Sequence, residues 1–198
     1  MDAALLVLER DGIQGLTVAA VSRESGISNG SLYHRFGGRD QLLSACQERF
    51  FERIIEDQTA SGIELLAEED PNALLARVIE SLDEVFVQQR GLVRAFMIAG
   101  YTDETIYRRG LQFNLNSAAF FVELLVRRIG CTQEAADAAY RLVFARAMVS
   151  VMFEEAEISE LRIPVETQRR HVRDAAAAIL GLPDPPKRSR SASRRRPG

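Results

Sequence analysis

Residues 17–43 read TVAAVSRESGISNGSLYHRFGGRDQLL, and the helix starts and stops inside this stretch decide the fold. Thr17 is a good N-cap, and Val18, Ala19 and Val21 follow it before Ser25-Gly26 ends the segment. Ser28 caps a second short helix, which carries Leu32, Tyr33 and Phe36 until Gly37-Gly38 breaks it. Two short helices joined at Ser25-Gly26-Ile27-Ser28 read as a helix-turn-helix. Gly26 permits the tight backbone, Val21 and Ile27 are predicted to pin the helices together, and Leu32 anchors the second helix on the first. Asn29, Gly30, Ser31, Tyr33, His34 and Arg35 are left facing outward or forward. No acid occurs between Ser28 and Arg39, so this surface suits a polyanion. A helix of this kind docks its amino-terminal end in a major groove.

On both sides of the motif the periodicity stays helical. Ala4, Leu5 and Leu8 share a face before Gly12 signals a stop. Asp40 lies in the first turn of a longer helix with Leu42, Leu43, Cys46, Phe50 and Ile54 on its apolar side and Glu48, Glu52 and Glu56 on the other. Pro71 starts a helix that runs to Phe86, Gly91 is predicted to interrupt, and a short segment covers 92–99. A long apolar pattern over 106–129 ends at Gly130, Thr132 caps 133–156, and Pro164 opens a last helix that ends at Gly181. No segment alternates with period two. The expectation is an all-α fold of about nine helices.

Composition and charge bound the function. The chain has 198 residues, 46% hydrophobic and 27% charged, with a formal net charge of −3, which is ordinary for a globular protein. Residues 187–198 hold Lys187 and five arginines without an acid, so 1–186 carries −9. A body of that sign is repelled by nucleic acid, and any DNA contact must be local. Apolar runs such as Ala175–Leu180 reach six residues, against about 20 for a membrane span. The amino terminus lacks the basic and apolar regions of a signal peptide, so a cytoplasmic location is expected. Cys46 and Cys131 read as two ordinary buried thiols in that compartment.

The run quoted above resembles the amino-terminal signature of TetR-family transcriptional regulators. A threonine opens the first motif helix, a small-residue turn follows, then come Leu32-Tyr33, Phe36, a basic residue at 39 and Leu42-Leu43. The resemblance covers about 40 residues and implies two functional regions: DNA binding in 1–45, and effector binding and dimerisation in 46–182. Residues 183–198 are expected to be a disordered basic tail, which either binds phosphates or is simply a solvated end. By the resemblance, Thr17, Tyr33 and Arg39 touch phosphates, while Asn29, Ser31 and His34 read base edges or adjacent backbone. Ser28 and Gly30, at the docking end of the helix, join the expected DNA-contacting set. Arg39 stands where a lysine is usual, and Arg35 adds a phosphate or guanine contact where tyrosine or histidine is common.

Catalysis has little support. Two histidines and two cysteines, all distant in sequence, form no metal-spaced cluster, and the glycines fit neither a phosphate-cradling loop nor a dinucleotide fingerprint. No enzyme activity, metal or cofactor is expected. The aromatics and methionines of 86–153 either fill a core or line a cavity for a small, largely apolar effector. Phe86, Met97, Tyr101 and Phe113 are candidate lining residues, together with Phe120, Met148 and Met152. The family pattern pairs the last two long helices with their twins in a homodimer. Leu142, Ala145, Met148, Val149, Ala176 and Ile179 are either contacts there or intrachain core. The resulting expectation is a one-component regulator, a repressor, that binds a palindromic double-stranded operator as a homodimer and is released by its effector. A helical ligand- or protein-binding dimer without specific DNA binding is the alternative.

Overall fold

The computed structural model describes residues 1–183, with the backbone alone for 58–66. The expected basic tail lies outside the described residues from 184 onward. The elements are α1 (Asp2–Gly15), α2 (Val18–Ser25), α3 (Asn29–Phe36), α4 (Arg39–Ala67) and α5 (Pro71–Asp83). A π-turn (Glu84–Gln88) leads into α6 (Arg90–Gly100), α7 (Glu104–Ile129), α8 (Gln133–Met152), α9 (Glu155–Ile158) and α10 (Val165–Leu180). No strand occurs among the described residues.

The predicted caps form. Thr17 Oγ1 accepts from the Ala20 N–H at 3.0 Å, Ser28 Oγ from Ser31 N–H at 3.2 Å, and Thr132 Oγ1 from Ala135 N–H at 3.2 Å. Gly26 sits at φ 70° between α2 and α3, a left-handed conformation that glycine adopts without steric cost. Val21 and Leu32 are buried as expected, but Ile27 is 46% exposed and pins nothing. The turn is held by polar groups instead: Ser22 Oγ donates to the Ile27 carbonyl at 2.7 Å, and Ser25 Oγ accepts from Ile27 N–H at 3.2 Å.

These short helices pack as a head on α1, whose Leu5, Val7 and Leu8 are buried. α1 also packs against α6 of the body. Gly91 does not interrupt a helix. It lies in the first turn of α6, where a Cβ would stand 3.0 Å from the Glu9 carbonyl oxygen. The true interruption is the π-turn just before it.

In the body α7 packs on α6 and α8, and α8 on α10. Asp83, 2% exposed at the end of α5, is bonded by Arg146 of α8 and, at 2.7 Å, by Nε of Arg169 of α10. Three helices therefore meet on one buried carboxylate. The predicted helix 133–156 stops at Met152, because Phe153 is extended and Glu154 begins the separate turn of α9 through a capping box with Glu157. Arg90 closes the end of α8 by donating to the carbonyls of Val151 and Phe153 and pairing with Glu154 at 2.7 Å. Among the described residues, ten helices and a π-turn thus replace the nine expected.

Ala176 is corrected by this packing. It is fully buried within the chain's own core and cannot meet a second subunit. Ala145, Val149 and Ile179 are exposed, while Leu142 and Met148 are half-buried.

Candidate nucleic-acid interface and ligand cavity

α3 divides its residues cleanly. Leu32 is 4% exposed and faces α2, whereas Asn29, Gly30, Ser31, Tyr33, His34 and Arg35 are all exposed. Tyr33 stands out by 55% of its surface beside them. The Ser28 and Ser31 hydroxyls are bonded to each other at 3.0 Å, which fixes both at the first turn. Thr17 at the start of α2 and Ser28 at the start of α3 are both exposed, and each caps its own helix. Arg35 lies over the Phe36 ring at 5.2 Å and keeps its charge at the surface.

Arg39, expected to touch a phosphate, also makes bonds within the chain. Its Nε donates to the Leu16 carbonyl at 2.9 Å and its Nη2 to the Ile13 carbonyl at 2.5 Å. Its Nη1 lies 3.9 Å from Asp40. Arginine rather than lysine suits this place, since a planar fork can close two open carbonyls at the end of α1. The side chain joins the end of α1 to α4.

A cavity of about 480 Å³ lies in the body, within the range of small-molecule sites. α4 supplies Phe50, Phe51 and Ile54, and the π-turn supplies Val85 and Phe86. α6 contributes Val93, Phe96 and Met97, α7 contributes Ile106, Tyr107 and Phe113, and α8 contributes Met148. Phe51 and Phe113 stack in parallel at 4.2 Å, and Phe50 tilts on Phe96 at 5.4 Å. Gln47, 1% exposed, fixes the wall: its Nε2 donates to the Ile106 carbonyl at 3.0 Å and its Oε1 accepts from Arg109 at 3.1 Å.

Of the expected lining residues, the structure brings Phe86, Met97, Tyr101, Phe113 and Met148 to the cavity. It leaves out Phe120, which is 44% exposed and edge-on to Phe121, and Met152, which packs against the core. Sequence reasoning missed the α4 wall. The signal was the Phe50-Phe51 pair followed by Ile54 one turn later, which places adjacent aromatics on neighbouring faces of one helix. Burial pushes the Cys46 thiol up to about 12, so it is an inert apolar group beneath this wall. Among the described residues no group of acids, histidines and cysteines could hold a metal ion, and no helix is long and apolar enough to cross a membrane.

Comparison with known proteins places this arrangement. Residues 1–46 match the family described as bacterial regulatory proteins, tetR family. The HTH-type transcriptional regulator CymR of Pseudomonas putida is 28% identical over 147 residues, covering 72% of this chain and 70% of that protein. A solved structure from Mesorhizobium loti, assigned to the TetR family, aligns with a TM-score of 0.74 at 14% identity, over 91% of this chain and 92% of its own. The multidrug binding protein EbrR, solved in complex with ethidium, aligns with a TM-score of 0.60 at 20% identity, over 90% and 94%. Residues 1–46 are thus an amino-terminal domain of the tetR family, and the chain as a whole shares its fold with structures assigned to that family.

Proposed function

We propose that the chain is a one-component repressor that binds a palindromic operator as a homodimer and lets go when a small, largely apolar effector enters the cavity. α4 carries this reading. One helix of 29 residues begins at Arg39, which holds α1 of the head, and passes Phe50, Phe51 and Ile54 at the cavity wall. A ligand that moves α4 therefore moves the head. Residues 1–45 act as the DNA-binding unit and 46–182 as the effector-binding and dimerisation unit.

On DNA, Asn29, Ser31, His34 and Arg35 face base edges, while Thr17, Tyr33 and the N–H groups after Ser28 meet phosphates. Arg39 contributes from behind by holding α1 on α4. One eight-residue helix makes few contacts, so two copies related by a twofold axis are needed to read an operator. The outward faces of α8 and α10, with Ala145, Val149 and Ile179 exposed, supply the dimer contact. The effector acts by binding more tightly to the dimer geometry whose two α3 helices no longer match successive major grooves. The ethidium complex of EbrR supports a small-molecule ligand in a fold of this kind. A protein with this function works in the cytoplasm, where the operator is.

The test is selection of bound duplexes from a random pool, followed by affinity against salt for the winners. A palindromic motif whose binding is weakened by Tyr33→Ala is the expected result. Sequence-independent binding that disappears on deleting 187–198 would overturn it and favour the ligand- or protein-binding dimer, to which the −9 charge of 1–186 is well suited.

A further inference from the structure

The cavity lining is unevenly charged. Among the described residues no lysine, arginine or histidine lines it. Arg109, which meets the lining residue Gln47, is turned to Ser44, Gln47 and Glu48. Gln47 is committed at both ends of its amide. That leaves the Glu104 carboxylate, the Asn114 amide and the hydroxyls of Tyr101 and Tyr107 for a ligand. The Asn114 side-chain amide has no hydrogen-bond partner among the described residues.

The first turn of α7 opens on the cavity, and a bare helix amino terminus would attract an anion there. This one is already neutralised. Asp103 accepts from the N–H groups of Thr105 and Ile106 at 2.9 and 3.1 Å, and Glu104 adds a second carboxylate to the same turn. Glu104 is paired at 2.6 Å with Arg108 one turn on, but both side chains are mostly exposed, so the pair is weak and readily exchanged for a ligand. An acidic ligand would sit among aromatic faces beside a carboxylate, and Arg108, outside the lining and mostly in solvent, is already paired with Glu104.

We infer that the effector is a planar aromatic cation. This rests on the effector-cavity reading above. Its flat ring extends the parallel Phe51–Phe113 stack, and its charge meets the ring faces and Glu104 together. Asn114 bonds a ring substituent. A neutral ring of the same shape keeps the stacking and loses the Glu104 attraction. A carboxylate on that ring turns the attraction into repulsion.

The experiment is fluorescence titration of the full-length protein, without DNA, with proflavine (cationic), acridine (uncharged at mildly alkaline pH) and 9-anthracenecarboxylate. Proflavine is expected to bind about ten-fold more tightly than the carboxylate, with acridine between. Glu104→Gln should weaken proflavine about ten-fold and leave acridine within about two-fold. Phe113→Ala should weaken proflavine and acridine alike. Equal or tighter binding of the carboxylate, or an unchanged proflavine affinity in Glu104→Gln, overturns the charge assignment. Indifference of both dyes to Phe113→Ala overturns it too, since they would then sit elsewhere. Binding of none of the three overturns the effector-cavity reading itself, whatever the operator selection finds.

Discussion

The head and the body of this molecule use their side chains in opposite ways. In α3 each residue has a single role. Leu32 is buried and holds the helix, while its neighbour Tyr33 is 55% exposed. In the body one residue serves two roles. Phe51 and Phe113 pack on each other, Phe86 packs edge-on to Phe144, and all three also line the cavity. Stability and recognition can be altered separately in the head, but in the body a change to one reaches the other. A ligand can therefore act on the fold from the cavity, whereas DNA meets a preformed surface.

The heaviest loss is expected at the buried carboxylate of the body. Asp83→Ala leaves two arginines facing a buried site without their partner, and should cost about 3–5 kcal/mol in denaturant unfolding. A loss no larger than that of an exposed ion pair would mean that the body does not depend on this junction. Leu32→Ala should destabilise by about 2–4 kcal/mol, because it empties the one fully inward position of α3. Tyr33→Ala, one residue on, should leave the melting temperature unchanged while operator affinity falls about ten-fold. If both variants lowered stability alike, the separation of roles within α3 would be broken.

Thr17→Ala removes the α2 cap and should cost about 1 kcal/mol, measured as a shift of the unfolding midpoint. Cys46 gives the smallest effect. Its thiol is held protonated by burial, with a pKa raised from 9.0 to about 12, so a thiol reagent should label it only after unfolding. The sign of the pH dependence follows. The folded state retains the proton while the unfolded state loses it, so stability falls as pH rises between those values and is unaffected below them.

Thr17, Ser28 and Thr132 were legible as caps because a cap acts on an N–H group three residues ahead, within reach of local pattern. The acid-free face of α3 was legible for the same reason. The intrachain bonds of Arg39 were not legible because its partners, the carbonyls of Ile13 and Leu16, lie more than twenty residues back and meet it only when α1 folds onto α4. Phe113 and Phe120 look alike in a helix that is apolar on several sides. Only the positions of α4 and α6 decide that the first stacks on Phe51 and the second lies half in solvent. Ala176 and Ile179 are separated in the same way by α8, which covers one and leaves the other outside. The π-turn had no local signal, and Gly91 was read as a break when its use is steric.

That use of Gly91 has a mechanical side. Where α6 meets Glu9, Gly91 presents no side chain, so the cavity-bearing helix approaches the backbone of α1 closely. A soft contact would absorb a small displacement, and a hard one transmits it. On the proposed function, the junction would work as a thrust surface between the cavity end of the molecule and its amino-terminal head. A methyl group at position 91 acts there as a permanent shim, displacing the head from its resting pose in the absence of any ligand.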